Sequence, residues 1–223
     1  MSAGQPLRVA VLVSGRGSNL QALIDARDAG TLPIELVLVA SDKVAAQGLR
    51  RAEAAGIATL ALAPRSYPTR AAFDRELFAR IAAHAPDLIV LAGFMRILDG
   101  AVLAPWQGRI INIHPSLLPK YPGLHTHERA LAAGDAEHGS SVHFVTAELD
   151  GGPLIAQARI AIESGDTPDA LAQRLLPHEH RLLVACIDLI ARRRLALREG
   201  RVMLDGQALP HPLQLAAGAT RLA

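Results

Sequence analysis

Short apolar runs alternate with helix-like stretches through the first half of the chain. β-branched and aliphatic runs predict strands, and apolar residues at helical spacing that end before glycine or proline predict helices. The predicted strands are Arg8–Val13, Ile34–Ala40, Thr59–Leu62, Leu88–Ala92 and Arg109–Ile113, and the predicted helices are Ser18–Ala29, Ala45–Ala55 and Thr69–Ala83. This order is typical of right-handed βαβ units and a parallel sheet.

The second half has a different pattern. Strand-like runs at Ser140–Val145 and Leu154–Ile160 flank a turn-rich segment and predict an antiparallel pair added to the sheet. A long apolar stretch from Thr167 to Ala191 predicts a helix that Pro177 kinks or splits. After Gly200 we expect a short strand followed by a loosely held tail. No repeat or linker interrupts the chain, so we expect one α/β domain over residues 1–223.

Composition narrows the class of protein. A formal net charge of +2 is too small to require a nucleic-acid partner. Cys186 is the single cysteine, so no intramolecular disulfide forms, and its apolar surroundings favour a role as inert core filler. The longest apolar run, Leu88–Met95, is too short to span a bilayer, and no signal peptide is recognised. We therefore expect a cytoplasmic protein without a membrane partner.

A glycine-rich turn, Ser14–Asn19, joins the first strand to the first helix. Such a turn directs free backbone N–H groups towards an anion, and one phosphomonoester would fit. Neither a dinucleotide fingerprint nor a P-loop is complete, because Leu20 replaces the third glycine and no Gly-Lys-Ser/Thr follows. Simple packing of strand on helix explains the turn equally well.

Asn112 and His114 share one face at the carboxyl end of a predicted strand that Pro115 terminates. An amide beside an imidazole can stabilise an oxyanion and carry a proton, although a polar strand end facing solvent is an equal alternative. Asp150, in the later turn, can bring a carboxylate to the same edge and raise the pKa of His114.

Two further patterns leave alternatives open. The apolar segment Leu88–Leu98 either lines a pocket for a flat heterocycle or is a buried strand with its turn. Imidazoles are dense at His125, His127, His138 and His143, which suggests zinc. Zinc is disfavoured because there is no second cysteine and no His-Glu-x-x-His helix, so no metal is expected.

Taken together, four segments resemble the phosphoribosylglycinamide formyltransferases, a family of folate-dependent enzymes of purine biosynthesis. The resemblance covers about residues 8 to 205, and it rests on the segments 15–21, 91–98, 112–127 and 141–153. It implies a single-domain Rossmann-like formyltransferase fold: a mostly parallel twisted sheet with helices on both faces and an antiparallel addition in the C-terminal half. A phosphate-binding βαβ half would cover 1–110, a catalytic and folate-binding half 111–205, and a tail 206–223.

The resemblance implies transfer of formyl from 10-formyltetrahydrofolate to the primary amine of 5'-phosphoribosylglycinamide, by a monomer or homodimer that needs only small-molecule substrates and no metal. Matching positions imply catalysis by Asn112, His114 and Asp150. They imply contacts to the nucleotide substrate from Gly17, Ser18, Asn19, Gly93, Pro115 and Glu179. They imply contacts to folate from Arg70, Met95, Arg96, Ile97, Leu98, Asn112, Val145, Leu149 and Asp150.

In the implied reaction the amine attacks the formyl carbon, Asn112 and protonated His114 stabilise the oxyanion, and Asp150 keeps His114 charged. The alternatives are a formyltetrahydrofolate hydrolase or a methionyl-tRNA formyltransferase-like enzyme. A tRNA enzyme should carry a basic surface and an added C-terminal domain, and we expect neither here. A non-enzymatic nucleotide sensor would need the glycine turn but not the three catalytic residues.

Overall fold

The computed structural model describes residues 5–216, 218, 219 and 222. The chain divides into two compact units, one reaching Ile111 and the other beginning at Asn112. The strands of the described residues are β1 (Leu7–Val13), β2 (Ile34–Ser41), β3 (Thr59–Ala61), β4 (Leu88–Leu91), β5 (Ile110–His114), β6 (Glu137–Phe144), β7 (Leu154–Ala161), β8 (Leu195–Arg198), β9 (Arg201–Leu204), β10 (Gln207–Ala208) and β11 (Leu213–Leu215). The helices are α1 (Ser18–Asp28), α2 (Gln47–Ala54), α3 (Arg70–Ala83), α4 (Gly100–Leu103), α5 (Thr126–Ala132) and α6 (Pro168–Ala191).

In the first unit, strands pair in the order β4, β1, β2, β3, and every pair is parallel. Residues Val9–Val13 of β1 are fully buried, which explains why this strand reads as an unbroken apolar run. Because β1 and β4 are parallel neighbours, the glycine turn after β1 and the segment after β4 leave the sheet at the same edge. That edge is where open α/β sheets bind ligands.

In the second unit, β6 and β7 form the predicted antiparallel pair, and α6 packs against both strands. Thr167 caps α6 by accepting a hydrogen bond from the Ala170 N–H at 3.2 Å. The helix continues through Pro177 to Ala191, so the expectation that proline would split it is wrong. The first turn of α6 nevertheless follows the predicted cap and proline pattern.

The region after Gly200 is more ordered than expected. The short strand predicted there is confirmed as β9, which pairs with the preceding β8 and with β10 in a small antiparallel sheet. Further on, β11 lies parallel to β7. Leu215 of β11 is buried, so the prediction of a loosely held tail is wrong for the residues that are described there. The sequence analysis also missed α5, whose seven residues are too short for a clear apolar period.

The mostly parallel α/β class with an antiparallel addition is confirmed. Cys186 is fully buried among apolar side chains, and burial raises the pKa of its thiol, as expected of inert core. Within the described part of the chain, no helix is both long and apolar enough to cross a membrane.

Candidate active site

Strand β5 places Asn112 and His114 on the same face of the sheet because they are two residues apart. The intervening Ile113 is buried in the core, and Pro115 directly follows the strand. His114 is itself only 6% exposed, whereas Asn112 is half-buried. The amide can therefore meet a ligand directly, while the imidazole works within a largely desolvated environment.

Both ring nitrogens of His114 have defined neighbours. Nε2 lies 2.9 Å from the carbonyl oxygen of Tyr121, which can only accept, so a proton resides on Nε2. Nδ1 lies 3.5 Å from Oδ2 of Asp150. The neutral ring therefore directs the Nδ1 lone pair towards a carboxylate, and a proton taken up at Nδ1 would be stabilised there.

Burial is the largest influence on the pKa of His114 and lowers it below the ordinary value. The Tyr121 carbonyl and the Asp150 carboxylate raise this pKa, but they do not overcome burial. The expectation that Asp150 keeps His114 charged near neutral pH is therefore not supported. His114 begins as a neutral imidazole beside a carboxylate that favours its protonated form.

Asp150 occupies a left-handed backbone position, with φ of 51°, in the turn between β6 and β7. Its Oδ2 accepts a hydrogen bond from the Gly123 N–H at 2.8 Å. Burial favours a raised pKa for this carboxyl, yet the hydrogen bond from the Gly123 amide and the neighbouring His114 hold the pKa below its usual range. Asp150 is thus ionised while its side chain is only 10% exposed.

His143 orients the amide of Asn112, a role that the sequence analysis did not assign. Nδ1 of His143 lies 2.9 Å from the carbonyl of Phe144, so that nitrogen carries the proton. Its Nε2 then accepts a hydrogen bond from Asn112 Nδ2 at 3.2 Å. The second amide N–H faces Asp150 Oδ1 at 3.5 Å, a weak contact that leaves it available to an oxyanion.

The other dense histidines form a separate pair. Nε2 of His138 lies 3.0 Å from Nδ1 of His127, and the rings meet edge to face. Burial, followed by the charge of His127, lowers the pKa of His138 to about 4. His125 is exposed and contacts Glu128 instead. No group of three or more metal-binding side chains is found among the described residues.

In the first unit, the predicted phosphate turn is held against α2. Gly17 has φ of 68°, and a Cβ at this position would come within 2.7 Å of the Gly48 Cα. The guanidinium of Arg51, a residue of α2, donates a hydrogen bond to the Arg16 carbonyl at 2.9 Å and so ties the turn to this helix. Ser18 is half-buried and Asn19 is buried at the start of α1. Only glycine meets both demands at position 17.

The segment after β4 is connected to the same turn through Ser14. Its hydroxyl accepts from the Met95 N–H at 2.9 Å and donates to Asp42 at 2.6 Å, while its own N–H donates to the Gly93 carbonyl. Sequence reasoning did not single out Ser14 for this role. The segment leaves Met95 and Ile97 exposed by 64% and 52%, as an apolar ligand surface requires.

Arg96 and Arg70 lie near the buried carboxyl of Asp74, another residue that sequence reasoning missed. Burial raises the pKa of Asp74, which the Asp99 amide and the two arginines oppose. The Arg96 guanidinium also lies 4.7 Å from the centre of the Phe73 ring. The end of this segment is thereby fixed, since Asp74 accepts from the Asp99 N–H at 2.9 Å.

The remaining predicted residues take ordinary positions. Leu98 is buried in the first unit, and Arg70 is exposed at the start of α3. In the second unit, Pro115 and Val145 are half-buried, and Leu149 is 49% exposed beside Asp150. Glu179 is half-buried within the continuous helix α6.

Comparisons with known proteins show which family this chain resembles. A family model described as formyl transferase matches residues 7–187. The chain is 51% identical over 204 residues to phosphoribosylglycinamide formyltransferase of Escherichia coli K12, covering 92% of this chain and 96% of that protein. It is 49% identical to the solved phosphoribosylglycinamide formyltransferase of Coxiella burnetii in complex with CHES, with a TM-score of 0.88 and coverage of 92% and 96%. A formyltetrahydrofolate deformylase structure from Pseudomonas putida KT2440 is 25% identical, with a TM-score of 0.80 and coverage of 92% and 72%.

Proposed function

This chain belongs to the formyl transferase family, and we propose that it transfers the formyl group of 10-formyltetrahydrofolate to the primary amine of 5'-phosphoribosylglycinamide. The observation that carries the proposal is the contact of Asn112, His114 and Asp150 in a nearly dry cluster. Similarity over almost the whole length of phosphoribosylglycinamide formyltransferases supports the choice of substrates.

The reaction begins when the amine nitrogen attacks the formyl carbon and the carbonyl oxygen gains negative charge. The free N–H of Asn112, aimed by His143, donates to this oxyanion. A preorganised donor of this kind is typically worth about 10²–10³ in rate. The amide therefore supplies electrostatic stabilisation without any covalent enzyme intermediate.

His114 carries the proton. Because its resting ring is neutral with the proton on Nε2, Nδ1 can accept a proton released from the attacking amine, directly or through water. The resulting imidazolium is stabilised by Asp150 at 3.5 Å and can return the proton to the departing folate nitrogen. Formation of the nitrogen–carbon bond, loss of one amine proton and cleavage of the folate bond then balance.

Substrate contacts are assigned to each unit separately. In the first unit, Gly17, Ser18 and Asn19 would hold the phosphate at the N-terminus of α1, with Gly93 following β4. Also in that unit, Arg70 and the segment from Met95 to Leu98 would contact folate. In the second unit, Pro115 and Glu179 would contact the nucleotide substrate, and Asn112, Val145, Leu149 and Asp150 would contact folate. No step requires a metal.

The test separates a transferase from a hydrolase. Folate deformylation is followed by absorbance with and without 5'-phosphoribosylglycinamide. We expect turnover only when the amine is present, because His114 receives its proton from that amine. An equal rate without the amine would identify a formyltetrahydrofolate hydrolase, the activity named for the deformylase relative.

A further inference from the structure

The turn from Tyr121 to His125 holds two members of the proposed catalytic cluster through its backbone alone. The Tyr121 carbonyl accepts from His114 Nε2 at 2.9 Å, and the Gly123 N–H donates to Asp150 Oδ2 at 2.8 Å. A shift of this turn moves both contacts together. The distance between His114 and Asp150 therefore depends on how firmly the turn is fixed.

The backbone of this turn takes left-handed conformations at three positions, with φ of 57° at Tyr121, 80° at Gly123 and 59° at His125. Left-handed conformations are unfavourable for residues with a Cβ and persist when surrounding contacts enforce them. Tyr121 and His125 both carry this strain. Side chains that contact the turn must therefore stabilise it.

Arg129 of α5 makes contacts on both sides of Gly123. Its Nη1 donates to the carbonyl of Pro122 at 2.6 Å and to that of Leu124 at 3.4 Å. Its guanidinium carbon lies 5.1 Å from the centre of the Tyr121 ring. A planar guanidinium can make these contacts at once, whereas an ammonium cannot reproduce its fork and stacking face.

We propose that Arg129 is a positioning residue. It fixes the turn so that the Tyr121 carbonyl and the Gly123 amide hold His114 and Asp150 at the observed distance from each other. The inference rests on the proposed function, since it concerns the same cluster. Arg129 does not touch the cluster itself. Its guanidinium acts through the main chain that lies between it and the two catalytic side chains. Its charge also lowers the pKa of His114, an effect that Arg129→Lys retains and that therefore does not account for a loss of activity in that variant.

The experiment compares Arg129→Gln and Arg129→Lys with the wild-type enzyme. We expect Arg129→Gln to lower kcat about tenfold, since a displacement of 1 Å can cost about 10² in rate, while KM for each substrate changes less than twofold. The kcat of Arg129→Lys should lie between those of the wild type and Arg129→Gln, because lysine keeps the positive charge but lacks the planar guanidinium with its paired donors. The matched control is Arg192→Gln, which removes an exposed arginine paired with Asp188.

A second measurement reports the geometry without turnover. In imidazole NMR spectra, the His114 Nε2 proton should exchange slowly in the wild type and in Arg192→Gln, and faster in Arg129→Gln. Assignment uses loss of the signal in His114→Asn. If kcat and the exchange rate of the His114 proton are unchanged in Arg129→Gln, the inference is overturned. Full activity of Arg129→Lys also overturns it, as does an equal loss of kcat in Arg192→Gln.

The two proposals fail in distinguishable ways. If the wild type does not transfer formyl, the proposed function fails, and the NMR comparison still tests whether Arg129 fixes the turn. If the wild type is active and Arg129→Gln equals it, only the role of Arg129 fails.

Discussion

Asp150 combines three contacts in one carboxylate. It accepts from the Gly123 amide, faces His114 Nδ1 and lies 3.6 Å from His143 Nε2. Because burial lowers the pKa of His114, the ionised Asp150 is the group that makes proton uptake by this imidazole accessible during the reaction. For proton uptake by His114, the negative charge of Asp150 therefore matters more than its ability to accept hydrogen bonds.

Replacing Asp150 with Asn keeps the shape and removes the charge. We expect kcat to fall at least about a hundredfold, within the range of about 10²–10⁴ for positioned proton transfer, with the fold intact by circular dichroism. Asp205→Asn is the control, because Asp205 is exposed and has nearly the same backbone φ, 49° against 51°. Near-normal turnover of Asp150→Asn contradicts the mechanism.

At the scale of residues, sequence spacing was enough to place Asn112 and His114 on one face and to suggest Asp150 as their neighbour. It could not reveal the Tyr121 carbonyl or the Gly123 amide, because every residue but proline offers both groups. It also could not give the pKa of His114. Burial determines that pKa, and burial depends on packing that local spacing does not record.

At the scale of elements, the glycine turn of the first unit lies close against the backbone of α2. Gly17 and Gly48 meet backbone to backbone, and a Cβ on Gly48 would in turn come within 2.8 Å of a Val13 methyl group. The position of α2 therefore controls the shape of the predicted phosphate turn. This explains the glycine at position 17, whereas a Cβ at Gly15 would meet open space.

Gly17→Ala adds a clash with Gly48 to the strain of a left-handed backbone, which alone costs about 1–2 kcal/mol. We expect lower stability to urea and a larger rise in KM for phosphoribosylglycinamide than for folate. Gly30→Ala provides the control, since Gly30 has φ of 69° but open space around its Cβ position. Equal rises in both KM values, or the same rise in Gly30→Ala, contradict a phosphate role.

Element boundaries were predictable where apolar periodicity was strong. α1 and α3 begin and end within one residue of the predicted limits. At Pro177 the predicted split was wrong, because α6 continues from Pro168 to Ala191, and the predicted kink stays a prediction. The short strands β8, β10 and β11 were missed because two to four residues carry too little pattern to distinguish a strand from a loop.

At the scale of the whole molecule, buried histidines connect stability to pH. His138 is 1% exposed, and its pKa falls to about 4 in the folded chain, against 6.5 as the ordinary value. The unfolded chain therefore binds this proton more readily, so stability falls as the pH drops from about 6.5 towards 4. Between pH 7 and 5 this histidine contributes a loss of about 2 kcal/mol.

His138→Gln removes this titration. We expect its free energy of unfolding, measured with urea, to fall less between pH 7 and pH 5 than that of the wild type, by about 2 kcal/mol. The variant will be less stable at neutral pH because His127 loses a partner, so the comparison is made on the pH slope. His211→Gln, at an exposed position, should retain the wild-type slope. An unchanged slope in His138→Gln excludes His138 as the source.

The strand β11 has a consequence for how copies of this chain behave towards one another. β7 is eight residues long and mostly apolar, and one of its edges pairs with β6. β11 covers Ala156–Ala158 on the other side, in the middle of the strand. An uncovered backbone there would be a template for pairing with a second molecule. We therefore expect β11, which lies outside the catalytic cluster, to limit edge-to-edge pairing of β7 with a second molecule.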